Sequence, residues 1–256
     1  MCRSNWMVLL VVSFSVSLTF SFSVVNTADA GLVAHWPLDG NTDDVTGNGN
    51  DGILNGEAQW VEGVIGEALE FDGDTGWIDA GNDPSLSPSP MSTTFWLKPS
   101  KDLDLNDERA NIVYYALGPM FAFNKTPVAD EPLGAPNTIR VWVDTVGDIP
   151  KGTLFTKRDI WNKGEWYHLA CTYDESEFAL YEDGVETGRV EATGAIGDRK
   201  GVFRIGQKFP GTIDEVKLYD EALTAADVAS EFDAGTSVES QGKLTTTWAA
   251  MKTGDK

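Results

Sequence analysis

Short runs of alternating apolar and polar residues, bounded by Gly, Asn, Asp and Pro, recur through the middle of the chain. They are Leu32–Trp36, Ala68–Phe71, Thr93–Lys98, Asn111–Ala116, Ile139–Val143, Trp166–Tyr173, Phe178–Glu182 and Thr212–Tyr219. A period of two places alternate side chains on opposite faces of a strand, so each run predicts a strand with one face in a core. Asp39-Gly40, Asp51-Gly52, Asp72-Gly73 and Asp183-Gly184 supply the positive φ values that tight turns need. The clearest hairpin is Phe178–Glu182, Asp183-Gly184, Val185–Val190. One helix breaks the pattern. Thr224 and Asp227 have capping-box spacing, Val228 and Phe232 share a face, and Gly235 supplies a stop. Many strands and one short helix predict an all-β sandwich or barrel.

Three features frame that domain. Arg3, an apolar run from Met7 to Val25 and the small-x-small sequence Ala28-Asp29-Ala30 read as a signal peptide, residues 1–30, cut before Gly31. A retained anchor is the alternative, weakened by five serines between Ser13 and Ser23. Residues 31–235 form one domain, and 236–256 a polar tail. Between Pro99 and Thr138 a charged stretch and a Pro-rich loop surround two short strands. Cys2 leaves with the leader and Cys171 stands alone, which excludes a disulfide framework, so an ordinary core must hold the fold. The formal net charge of −21 survives cleavage, since Arg3 and Asp29 leave together. Such a surface disfavours nucleic acid and anionic lipid. No second long apolar run follows, so no membrane span is expected in the mature chain, and the expected location is secreted or extracytoplasmic.

Six segments, in order, resemble laminin-G-like domains of the concanavalin A-like lectin/glucanase superfamily. Leu32–Asp39 leads into Asp44-Val45-Thr46-Gly47-Asn48-Gly49-Asn50-Asp51-Gly52, and Ala68–Gly73 follows. Thr94-Phe95-Trp96-Leu97-Lys98-Pro99 resembles the family's Trp-containing strand. Trp166-Tyr167-His168-Leu169-Ala170 precedes Leu180-Tyr181-Glu182-Asp183-Gly184. Gly211–Tyr219 then runs into Ala222-Leu223-Thr224, the closing strand and helix. The resemblance implies a two-sheet antiparallel jelly roll. It implies no activity, because lectins, adhesion modules and glucanases share this fold.

The last strand carries a chemical clue of its own. If Val216 and Leu218 face the core, alternation turns Asp214 inward as well, and a buried carboxylate needs a hydrogen bond, a partner or a metal. The resemblance implies a structural Ca²⁺ here. Its ligands, carried over by position, would be Asp39, Asp44 and Asp214, helped by Asn48 or Asn50. Calcium takes six to eight oxygens, which side chains, carbonyls and water could supply. The competing reading gives Asp44 and Asn48 to an Asx-type turn and Asp214 to backbone N–H groups. His35 and His168 lack zinc-ligand spacing.

Alternation also predicts a binding face. Ile139, Val141 and Val143 read as core, leaving Arg140 and Trp142 on the other side. Phe95 and Leu97 read as core, leaving Trp96. If these strands share a sheet, its outward face carries Trp96, Arg140, Trp142 and His168, with Glu215 nearby. Indole faces flanked by polar side chains suit sugar rings or protein loops. Burial of these aromatics in the fold is the competing reading. Glycosidase chemistry needs two carboxylates flanking a sugar, and adjacent Asp214 and Glu215 point to opposite faces. The expected function is therefore a noncatalytic module that binds carbohydrate or an extracellular protein. A structural or assembly part without sugar binding is the alternative, and a glycosidase-related enzyme the weaker one.

Overall fold

The computed structural model describes residues 31–101, 110–114, 120–123, 138–145, 152–196 and 201–237. The expected leader and all but the first two residues of the expected tail lie outside the described residues. In chain order the strands are β1 (Leu32–Trp36), β2 (Ile53–Asn55), β3 (Ala58–Glu62), β4 (Glu67–Asp72), β5 (Trp77–Asp79), β6 (Met91–Pro99), β7 (Asn111–Tyr114) and β8 (Met120–Phe123). Then come β9 (Ile139–Val143), β10 (Gly152–Phe155), β11 (Tyr167–Tyr173), β12 (Glu177–Glu182), β13 (Val185–Glu191), β14 (Arg204–Ile205) and β15 (Pro210–Tyr219). Residues 225–237 form the helix α1.

The strands make two antiparallel sheets. Sheet A has the order β13-β12-β11-β6-β15-β4-β3, with β1 also pairing β15, and sheet B the order β10-β9-β8-β7-β14-β5-β2. Their facing sides enclose one core, as period-two patterning requires. Trp36 stacks on Phe203 at 5.0 Å. Phe95 of sheet A meets Phe121 of sheet B edge-on at 4.7 Å, which ties the layers together. Cys171 lies inside, fully buried, and burial pushes its thiol pKa up.

The Asp183-Gly184 hairpin forms as expected, with φ of 49° and 76°. Thr224 and Asp227 also close their box: the Thr224 hydroxyl donates to Asp227 Oδ2 at 2.6 Å, and Asp227 N–H donates back to Thr224 Oγ1 at 3.3 Å. Gly235 does not stop the helix, which runs on to 237. A Cβ there would lie 2.6 Å from Trp96 Cζ2, so glycine serves close packing rather than termination.

The outer faces of the two sheets differ. Against sheet A, α1 sets Val228 in a buried cluster with Ala170, Ala179, Tyr181, Tyr219 and Leu223. Phe232 stacks on Trp96 at 5.5 Å, and Glu231 accepts bonds from Lys217 Nζ (2.6 Å) and the Tyr219 hydroxyl (2.9 Å). Among the described residues, α1 is the only α-helix, and no helix lies over sheet B.

Candidate functional site

The structure separates residues that alternation alone would group together. β6 and β11, which carry Trp96 and His168, belong to sheet A, whereas β9, with Arg140 and Trp142, belongs to sheet B. Trp96 and His168 do lie side by side, their rings 5.1 Å apart, but beneath α1, where they are 5% and 1% exposed. The expectation that they contact a ligand is corrected. The roofing helix converts an outward face into a second apolar layer. Burial, then the charge of Lys217, pushes the His168 pKa down to about 3, and its Nδ1 has no hydrogen-bond partner.

Asp214 is fully buried, but for a different reason from the one alternation suggests. A bulge between Asp214 and Lys217, with Glu215 at φ 50°, resets the period. Ile213, Val216 and Leu218 all enter the core. Asp214 stands opposite Trp96 on the outer face, under the β3–β4 loop. Its Oδ2 accepts from Val64 N–H (2.7 Å) and Ile65 N–H (3.3 Å), and its Oδ1 from Glu215 N–H (2.9 Å). Burial, then the Glu215 charge, pushes its pKa up to about 8. Glu215 itself meets His35 Nε2 at 2.8 Å.

The remaining acidic-loop residues are also spent on the backbone. Asp44 accepts the N–H groups of His35, Thr46 and Asn50 and the Thr46 hydroxyl. Burial alone would raise its pKa, but these bonds, led by His35, bring it below the usual carboxylate range. Asn48 and Asn50 both donate to the Val33 carbonyl, and the Asn50 carbonyl accepts from Trp36 Nε1. Asp39 accepts from Glu67 N–H at 2.7 Å. Asp39 and Asp214 thus grip the same loop, 63–67, while Asp44 organises its own turn. As placed, Asp44 and Asp214 spend both carboxylate oxygens on hydrogen bonds, and among the described residues no three His, Cys, Asp or Glu side chains cluster as a metal site.

Sheet B carries the open chemistry. On its outer face Thr153 pairs Trp142, which pairs Met120. One residue beyond the Val113–Phe121 pair, Tyr114 continues the row to Arg204, Asp79 and Ile53. A second row runs from Phe155 to Arg140 and, through Ala122, to Asn111. Trp142, Arg140, Phe155, Tyr114 and Arg204 are half-buried, a state that leaves part of each ring or guanidinium reachable. The Arg140 guanidinium lies over the Trp142 ring, 4.4 Å from its centroid. Two inter-strand steps separate Trp142 from Tyr114, about 10 Å. Among the described residues, Trp77 Nε1, Asn111 Oδ1 and Arg204 Nε are buried without hydrogen bonds. Arg204 Nε stands 3.8 Å from Asp79 Oδ2, beyond bonding distance. An unmade buried hydrogen bond costs about 1–3 kcal/mol, so the chain does not close the polar balance of this face by itself.

The row was only partly visible in the sequence. Arg140 and Trp142 sit on a five-residue alternating strand. Tyr114, Asp79 and Arg204 sit on strands of four, three and two residues, too short to show a period.

Two packed antiparallel sheets in this order make a jelly-roll β-sandwich of the concanavalin A-like class. The sequence profile of the concanavalin A-like lectin/glucanases superfamily, laminin-G type, matches residues 72–229, and the chain belongs to that family. Among solved structures, the chain is similar to domain 4 of AbnA, a GH43 extracellular arabinanase from Geobacillus stearothermophilus, in complex with arabinotriose. Identity is 22%, the TM-score 0.62, and the match covers 78% of this chain and 98% of that one. The binding domain of Paraclostridial Mosquitocidal Protein 1 matches at 15% identity and TM-score 0.62, over 80% of this chain and 52% of that. Botulinum neurotoxin type C, whose cell entry depends on interaction with two ganglioside molecules, matches at 15% and 0.63, over 83% and 53%. The chain thus spans about half of each of these two. No curated protein matches the chain.

Proposed function

We propose that this chain is a noncatalytic binding module that takes an oligosaccharide on the outer face of sheet B. The observation that carries the reading is the contrast between the faces. α1 covers Trp96, Tyr181 and Tyr219 on the outer face of sheet A, whereas sheet B keeps Trp142 and Tyr114 half-buried in one row, flanked by Arg140, Asn111, Arg204 and Asp79. Rings spaced across strands, with hydrogen-bonding side chains between them, suit the alternating apolar and hydroxylated faces of sugars. The arabinotriose complex of the similar arabinanase domain is consistent with this reading.

Catalysis is disfavoured by where the acids lie. Asp214 is fully buried under a loop, and Glu215 is paired with His35, so neither faces a space where a glycosidic bond could sit. A glycan array probed with the full chain tests the reading, with Trp142→Ala as the matched variant. Binding lost in the variant, at an unchanged melting temperature, supports it. No glycan bound, with a surface protein captured instead, refutes it. The N-terminal pattern of Arg3, the apolar run and Ala28-Asp29-Ala30 supports a location outside the cytoplasm. Mass spectrometry of protein recovered from culture medium then finds Gly31 first, and retention of Met1 contradicts this.

A further inference from the structure

We infer that the Arg204–Asp79 pair on the outer face of sheet B is the subsite that sets specificity, and that it takes two adjacent free hydroxyl groups of a neutral sugar. This rests on the binding reading above and adds the chemistry of the ligand. The register puts four side chains of different character in one row. Tyr114 pairs Arg204, Arg204 pairs Asp79, and Asp79 pairs Ile53. An aromatic ring, a donor, an acceptor and an aliphatic side chain therefore follow one another across three inter-strand steps, about 14 Å. That sequence matches a sugar, whose ring carbons offer apolar patches between hydroxyl groups.

Arg204 and Asp79 sit side by side without satisfying each other. Nε stands 3.8 Å from Oδ2, whereas a charge-assisted hydrogen bond closes to about 2.7–2.9 Å. The acid is held from behind, its Oδ1 accepting from Gly81 N–H at 3.0 Å. The side chains of Arg204 and Asp79 are 32% and 31% exposed, so a ligand can reach both. A hydroxyl group both donates and accepts. One hydroxyl accepts from the guanidinium, and its neighbour on the ring donates to Asp79 Oδ2. Because the two partners are adjacent and fixed on paired strands, the two hydroxyls have to be adjacent as well. Tyr114 on one side, and Ile53, 68% exposed, on the other take the apolar faces of the flanking rings.

The same geometry argues against an acidic sugar at this position. A carboxylate seated on Arg204 would lie beside Asp79, in a field set by 40 acidic residues against 19 Lys and Arg. A pair of hydroxyls meets no such repulsion and uses both partners. A neutral ligand also leaves no charge–charge attraction for salt to screen, so its affinity should hold as ionic strength rises.

The test is calorimetric titration of the full chain with neutral arabino-, xylo-, cello- and manno-oligosaccharides, and with oligogalacturonide as the acidic arm. The neutral sugar that binds tightest is then compared with a derivative methylated on one hydroxyl of each adjacent pair. Methylation is expected to cost the parent about tenfold in affinity, one lost hydrogen bond to a charged group. Asp79→Asn and Arg204→Gln should each weaken the unmethylated sugar by a similar factor. Methylation should then cost these variants little more, because the contact it removes has already gone. Either variant suffices if it melts with the parent. Oligogalacturonide should bind at least about tenfold more weakly than the neutral sugar. Equal methylation losses in parent and variants, or tighter binding of oligogalacturonide, overturn the assignment of the pair while leaving the binding face intact. No oligosaccharide bound by the folded chain overturns both.

Discussion

His168 gives the sharpest energetic consequence of the roofed face. Its ring lies between Trp96, at 5.1 Å, and Phe232, at 6.0 Å. Burial and then Lys217 hold its pKa near 3, against an ordinary value of 6.5. Below about pH 6.5 the unfolded chain binds a proton that the folded chain refuses until about pH 3. Stability from this group is therefore complete above 6.5 and falls as the pH drops through that window. At pH 5 the loss is about 2 kcal/mol, from 1.36 kcal/mol per unit over the 1.5 units between. For a domain of this size that is roughly 4–8 °C in melting temperature. Asp214 works in the opposite sense. Its pKa is raised to about 8, so the folded chain keeps a proton that the unfolded chain loses, and stability rises as pH falls from 8 toward 3.8. A single pH profile mixes the two. His168→Phe separates them, because the variant keeps a ring between Trp96 and Phe232 and keeps Asp214. Urea unfolding of both proteins at pH 7.5 and pH 5 is the assay. The variant's stability relative to the parent should improve by about 2 kcal/mol on going to pH 5. An identical pH dependence in the two proteins would refute the claim that His168 is sealed beneath α1.

Other consequences test the same architecture. Gly235→Ala should destabilise by about 1–2 kcal/mol, because overpacking against Trp96 and Val64 outweighs the gain in helix propensity; a rise in melting temperature contradicts this packing. Asp44→Asn should cost about 2–3 kcal/mol in denaturant unfolding, since an amide cannot accept all the N–H and hydroxyl bonds that Asp44 takes; a loss below half that would mean that the turn holds without them. Calcium or a chelator should move the melting midpoint by less than about a degree, because a ligand that does not bind cannot stabilise by mass action. A shift of several degrees with calcium would restore the cation expected at Asp39, Asp44 and Asp214.

The strands that the sequence announced are those long enough to show a period. Leu32–Trp36 and Ile139–Val143 form as patterned, and Thr212–Tyr219 gains two residues at its start. β2, β5 and β14 have two or three residues, and their pairing comes from neighbours rather than from any pattern of their own. Asp214 is more instructive. Its burial was legible, but the face was not, because the bulge at Glu215 inserts one residue that no hydrophobic pattern reveals. Trp96 and Trp142 looked equivalent for a similar reason. Each alternates with core residues, and only the sheet order and the path of α1 decide which one is covered. The Asx-type use of Asp44 was legible as one of two readings, and its N–H contacts follow it.

The contrast between the two faces is tested most directly by following the tryptophan indole N–H signals by NMR while an oligosaccharide is added. The account predicts that the Trp142 and Trp77 signals shift with a common affinity while that of Trp96 stays in place. Movement of Trp96 with Trp142 and Trp77 unchanged would put the ligand on the helix side and contradict it.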